Sequence, residues 1–214
     1  MSLRSTALGR YVPGVAVLLL VLAGCGDGDE ADKATTTAGP SAPATSTTVG
    51  TATSAPAATY NDADVSFLQS MYLHHAQAIQ MADMVPSHSQ NPQMLELASA
   101  VEAAQEPEMA QIRSLLEEFG KPVPSPAAGP MDPMGHGMPG MMSPEQMSSL
   151  QGMSGAEFDR MWLEMMIEHH TGAVRMAQTE LDTGANDQAK QLAAAIVPAQ
   201  QREIEQMKAM LEQR

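Results

Sequence analysis

From about residue 62 onward, apolar positions recur every three or four residues, the spacing of one helix face, rather than alternating as a strand would. Phe67, Leu68, Met71, Ala78, Ile79 and Ala82 form the first such stripe, and His75 falls on it, four after Met71 and three before Ala78. The pattern predicts a helix from about Asp62 to Met84, opened by acidic residues in the turn where the macrodipole favours them. Pro86 and Asn91-Pro92 then break and restart the chain, with Asn91 a good N-cap and Pro92 a good first helical residue. A second helix is expected to run to Phe119 and stop at Gly120-Lys121-Pro122. Ser154-Gly-Ala-Glu157 reads as a capping box opening a third long helix that ends near Thr183-Gly184. The last fills roughly Asn186 to Gln213. Pro107 and Pro198 fall inside the second and fourth helices and are expected to kink them.

The chain repeats itself. Residues 64–118 align without a gap on residues 159–213, an offset of 95, with 19 identities in 55 positions. They include Met71/Met166, His74/His169, His75/His170, Met81/Met176, Gln105/Gln200 and Glu108/Glu203. A constant offset over that span is an internal duplication, and each copy is a helical hairpin. One hairpin cannot bury its apolar stripe alone, whereas two bury each other's. The expected fold is therefore all-α, a four-helix bundle with a first hairpin at 61–119, a Pro/Met-rich linker at 120–153 and a second hairpin at 154–214.

The first sixty residues are of another kind. Arg4 and Arg10 precede the apolar run VPGVAVLLLVLAG, which ends in LAGC. This reads as a secretory signal over 1–24, too short for a permanent span. The LAGC ending resembles a bacterial lipobox, which implies cleavage before Cys25 and lipidation of that residue, at the extracytoplasmic face of the cell membrane. Cys25 is the single cysteine, so neither an intrachain disulfide nor a thiolate metal site can form. Residues 25–60, mostly Ala, Ser, Thr and Pro, carry too little apolar surface to offset the entropy of ordering and are expected to act as a tether. Removing the signal takes the net charge from −14 to −16. An acidic chain lacks the basic face that nucleic acid requires and is compatible with cations.

Candidate chemistry lies along the repeated stripe. Met71 shares a helix face with His74 and His75, and Met81 lies seven residues beyond His74; Met166, His169, His170 and Met176 repeat the arrangement. Imidazole suits several transition metals and thioether adds a preference for soft ions, above all Cu(I). Methionine keeps that softness in an oxidising compartment. More than one reading stands for each residue type. The methionines either ligate or fill a core adaptably, and the histidine pairs either ligate or are satisfied polar groups. Glu108 and Glu203 are surface charges, metal ligands, or partners that orient a histidine through its other ring nitrogen. In the linker, Met134, His136, Met138, Met141 and Met142 either capture metal loosely or belong to a spacer. Ser143-Pro-Glu-Gln146 can cap a short helix there, while the rest is too rich in Gly and Pro for regular structure. His88 has no match in the second copy and is expected to be solvated.

The doubled M-x-x-H-H-x-x-A-x-x-M-A core, the Q-x-x-E-[IM] segments downstream and the GMPGMMSPEQM link resemble the bacterial family called "domain of unknown function 305". The resemblance covers about Asn61 to Arg214. It implies a ferritin-like bundle and extracytoplasmic metal handling, with copper binding associated with some members. On that basis Met71, His74, His75, Met81 and their partners 95 positions on are the residues expected to meet the metal.

Three functions are then in view. The first is a lipid-anchored protein that buffers or delivers copper through His and Met. The second is a metal-free interaction module of the envelope, with protein partner and oligomeric state open. The third, a ferritin-like di-metal oxidase, needs Glu-x-x-His motifs. Here Met71 and Met166 stand three before His74 and His169, and Glu168 is matched by Leu73. No Gly-rich phosphate loop or G-x-S-x-G elbow is present. An enzyme is not expected.

Overall fold

The structure is a computed structural model that describes residues 59–126 and 138–213. The signal, Cys25 and almost all of the tether lie outside the described residues, as do Met134 and His136. The described chain is helical: α1 (Asp62–His88), α2 (Pro92–Glu118), the short α3 (Pro144–Gln151), α4 (Gly155–Thr183) and α5 (Asp187–Glu212). The four long helices form the expected bundle. Within each hairpin the two helices are antiparallel, and α1 packs against α4 to join the hairpins.

The caps explain the boundaries. The Asn61 side chain accepts from the N–H of Ala63 and Asp64, and the Asp64 carboxylate accepts the Asn61 N–H, a reciprocal box that starts α1. Asn91 and Asn186, equivalent in the two copies, each cap the second helix of a hairpin. Ser143 and Gln146 box the start of α3. At the end of α2, Gly120 takes φ 63° and Lys121 N–H donates to the Leu116 carbonyl, the left-handed stop that favours glycine.

Three expectations are corrected. α1 does not stop at Met84 but runs through Pro86 to His88. A proline in the last turn forfeits one bond, and the Ser89 N–H still closes the helix on the Val85 carbonyl. Ser154 is the N-cap of α4 yet makes no side-chain cap hydrogen bond. Gly155 follows it at φ 61°, and Ser154 itself is extended, at φ −154° and ψ 163°. His88 is half-buried rather than solvated: Nδ1 lies 2.8 Å from the Met84 carbonyl, Nε2 3.1 Å from that of Gln151, and the ring stacks on Phe158. As for Pro107 and Pro198, α2 and α5 continue as helix through both.

The core falls into two apolar clusters at opposite ends of the bundle. One joins Met81, Val85, Met94, Val101, Trp162, Leu163, Met166 and Met207. The other joins Leu68, Met71, Ile112, Leu116, Ala173, Ala177, Leu192 and Ile196. Each draws on the N-terminal half of one hairpin's first helix and the C-terminal half of the other's, so α1 and α4 cross antiparallel. Trp162 anchors the first cluster, its indole N–H donating 2.8 Å to the Met81 carbonyl.

The α4–α5 turn is tied to the start of α1. Asp64 is fully buried and accepts the N–H groups of Ala185 and Asn186 at 3.0 and 2.8 Å. Burial pulls its carboxyl upward, but these bonds, that from Asn61 and one with Glu180 outweigh it and hold it below the usual aspartate value. Glu180, buried beside it, is pushed up to about 8 by desolvation first, then by its hydrogen bond to Asp64 and the charge there. Glu180 is therefore protonated at neutral pH.

Candidate metal centre

Between the two apolar clusters lies a polar waist. His74, His75, His169 and His170 are all buried, carried by the middle turns of α1 and α4. The duplication sets their arrangement. The rings of His74 and His169, equivalent positions in the two copies, meet with centroids 3.7 Å apart at an interplanar angle of 38°. A local pseudo-dyad thus passes between them. Each outer histidine meets a glutamate of its own hairpin: His75 Nε2 lies 2.6 Å from Glu108 Oε2, and His170 Nε2 lies 2.6 Å from Glu203 Oε2. The two glutamates are therefore hydrogen-bonded to histidines rather than lone surface charges.

The hydrogen bonds fix the tautomers. A carboxylate can only accept, so His75 and His170 carry the shared proton on Nε2. His74 Nε2 lies 3.1 Å from the Pro139 carbonyl and must likewise donate. The neutral form of each ring then presents a bare lone pair on Nδ1, and these three Nδ1 atoms are buried without a protein partner. His169 goes further: neither of its nitrogens makes a hydrogen bond of ordinary geometry. Burial, followed by the neighbouring His75 and His170 rings, pushes the His74 imidazole down to about 3. Burial and then the His74, His170 and His75 rings push His169 well below the ordinary histidine value. Both are uncharged at neutral pH.

The methionines flank this layer symmetrically. Met81 and Met166 belong to one apolar cluster; Met71 lies in the other, with Met176 half-buried against it. The eight sequence-predicted residues are thus gathered in and beside one layer, but not around one point. Among the described residues no three His, Cys, Asp or Glu groups stand ready to hold an ion, and the two central rings lie against each other at a tilt. The donor chemistry fits copper all the same: imidazoles whose Nδ1 atoms make no hydrogen bond, carboxylates holding the opposite nitrogens of two of them, and thioethers to either side.

Three features escaped the sequence reading. Gln105 and Gln200 stand one turn before the two glutamates and are buried, with both amide atoms of Gln105 and Oε1 of Gln200 unpartnered. Their identity across the repeat was the available clue. The other two concern the linker. Residues 138–142 lie as a strap over the α1–α4 crossing. Gln77 grips it with both amide atoms, donating to the Met142 carbonyl at 2.9 Å and accepting the Met142 N–H at 2.7 Å. Gly172, the equivalent position in the second copy, makes room for it: a Cβ there would lie 2.0 Å from the Pro139 carbonyl oxygen. The strap therefore crosses the pseudo-dyad. Met142 is buried beneath it and Met138 and Met141 are half-buried, so among the described linker donors none enters the histidine layer through a hydrogen bond except by way of the Pro139 carbonyl.

A four-helix bundle made from a doubled His-His hairpin, with a buried imidazole layer at the crossing, defines a class. The chain belongs to the family described as "Domain of unknown function (DUF305)", whose model matches residues 64–211. It is similar to a DUF305 fragment of Deinococcus radiodurans, at 33% identity over 74% of this chain and 100% of that one, with a TM-score of 0.65. A DUF305 protein of Streptomyces coelicolor classed as secreted matches at 30% identity over 71% and 93% of the two chains, with a TM-score of 0.64. CopM in its Cu(II)-bound form matches at 32% identity over 70% and 96%, with a TM-score of 0.59, and it has also been solved bound to Cu(I) and to Ag. No curated protein sequence matches significantly. Among the described residues no helix is long and apolar enough to cross a membrane.

Proposed function

We propose that this protein binds copper outside the cytoplasmic membrane, Cu(I) in preference, and buffers or delivers it while anchored through a lipid on Cys25. One observation carries the reading. Five ring nitrogens of the four buried histidines make no hydrogen bond of ordinary geometry. Leaving a buried polar atom unpaired costs about 1–3 kcal/mol, so a layer of them is a burden on a bundle whose only task is to be stable. Metal binding gives those lone pairs a use. The glutamates on His75 and His170 hold the opposite nitrogens protonated, the arrangement that keeps a ligating imidazole correctly oriented. The structural likeness to CopM, solved with copper, supports the choice of metal. His74, His75, His169 and His170 are the residues that would hold the ion, with Met71, Met81, Met166 and Met176 as soft donors within reach of the layer. Bound copper would be the cargo, and no reaction is assigned to it.

Titration of the mature protein with Cu(I) against a competing chelator tests this. Wild type should compete at least ten times better than a peptide of scrambled sequence with the same His and Met content. The H74A/H75A double variant should lose most of that advantage while remaining helical. Equal competition by protein and scrambled peptide would sink the proposal. Metal content of the protein isolated from its own membrane then identifies the ion.

A further inference from the structure

The linker methionines make a place of their own. A cleft of about 240 Å³ lies between the outer face of α1 and the start of α3, lined by Leu73, Gln77 and Gln80 on the helix and by Met141, Met142 and Met147 on the linker side. We propose that this cleft is a second soft-metal site, built from the three thioethers and separate from the histidine layer. The inference deepens the copper reading and rests on it for the identity of the physiological ion.

Three observations support it. First, the donors are held in place. Gln77 fixes the Met142 backbone from both sides, and the reciprocal Ser143–Gln146 cap fixes the helix that carries Met147. Second, the cleft is open although three adaptable side chains line it. Methionine is flexible and adapts to what it meets, so the three side chains can close on an ion that enters. Third, the face of α1 is specialised. Leu73, Ala76, Gln77 and Gln80 carry no charge, whereas the equivalent α4 positions are Glu168, Thr171, Gly172 and Arg175. Only one copy has the uncharged surface on which a thioether cluster can sit. Among the described residues no histidine, cysteine or carboxylate lines the cleft, so the side-chain donors they bring to it are thioether sulfur and amide oxygen. Such a set takes Cu(I) or Ag(I) and rejects Zn(II), Ca(II) and Mg(II).

Silver serves as the probe because it mimics Cu(I) without redox chemistry. Ag(I) is titrated into the full chain labelled with ¹³C at the methionine methyls, and bound silver is counted in parallel. The Met141, Met142 and Met147 methyls should shift together with one bound equivalent, while half-buried Met109 on α2 stays still. Replacing all three by leucine, which preserves volume, should remove one silver equivalent and leave the histidine-layer equivalents and the melting temperature in place. In the H74A/H75A variant the three methyls should still respond. An unchanged silver count in the leucine variant, or loss of every equivalent at once, would overturn a separate site. If the histidine layer bound nothing while these methyls still shifted, the copper reading of that layer would fail and the cleft would stand.

Discussion

Gly172→Ala is the change that the strap geometry makes most informative. In an ordinary mid-helix position alanine is more stable than glycine by about 1 kcal/mol. Here the added Cβ would sit 2.0 Å from the Pro139 oxygen, 2.5 Å from its carbonyl carbon and 2.8 Å from the Gly140 Cα. All three are backbone atoms and cannot swing aside, so the strap must retreat by more than an ångström. The Pro139 carbonyl then leaves His74 Nε2, now 3.1 Å away, and a buried N–H without an acceptor costs about 1–3 kcal/mol. Packing of the Pro139–Gly140 turn on α4 is lost as well. The steric and hydrogen-bond losses exceed the helical gain, and the variant should be less stable by about 1–2 kcal/mol, a fall in melting temperature of roughly 3–8 °C. Circular dichroism on heating reads the stability, and long-range ¹H–¹⁵N spectra of the imidazoles read the His74 Nε2 proton directly. Thr171→Ala, on the exposed neighbouring position, controls for helix propensity and should be neutral or slightly stabilising. A Gly172→Ala protein that melts higher, with the His74 resonance unmoved, would refute the seating of the strap.

Two further outcomes follow from buried groups. Glu180 keeps its proton to about pH 8 in the folded chain but loses it near 4.5 when unfolded, so the stability it contributes is intact below 4.5 and drains away as pH rises to 8. Asp64, shifted the other way, loses its contribution as pH falls below about 3.8. Glu180→Gln should flatten the alkaline limb of a stability–pH curve and, after discounting for screening, exceed wild type by about 1–2 kcal/mol at pH 8; an alkaline limb as steep as that of wild type would contradict the raised Glu180 value. Trp162→Phe removes the donor to the Met81 carbonyl and leaves a void in the larger cluster. It should cost about 2 kcal/mol by urea denaturation with no change in the slope, and a cost below about 0.5 kcal/mol would mean that the indole is not anchored as described.

The helices were legible because their signals are local. Asn91, Asn186 and Gly120 act where the sequence places them, and the apolar stripes name the core. Local signals misled where a neighbour changed their meaning: Pro86 falls in a last turn that can spare its donor, and Gly155 follows an extended Ser154 that does not cap. At the candidate site, repetition did the work, since His74, His75 and Glu108 were marked by their partners 95 residues on. What repetition cannot reveal is a feature present once. Pro139 belongs to the unrepeated linker, and Gln77 and Gly172 differ between the copies, so the strap was invisible in the alignment. Nor does any pattern say which ring nitrogen is free; that depends on acceptors brought from α2, α5 and the linker by the fold.

A solitary hairpin could rebuild the four-imidazole layer by pairing with a twin across the same axis. Such a homodimer would be bound to treat both halves alike, and two loops cannot occupy one rotation axis together. Fusion into a single polypeptide lifts that constraint: one loop lies across the axis, gripped by an amide in the first half and admitted by a missing side chain in the second. The two central imidazoles consequently stop being twins, one tethered to the loop's carbonyl and the other not, a chemical inequality that no symmetric pairing of hairpins could produce.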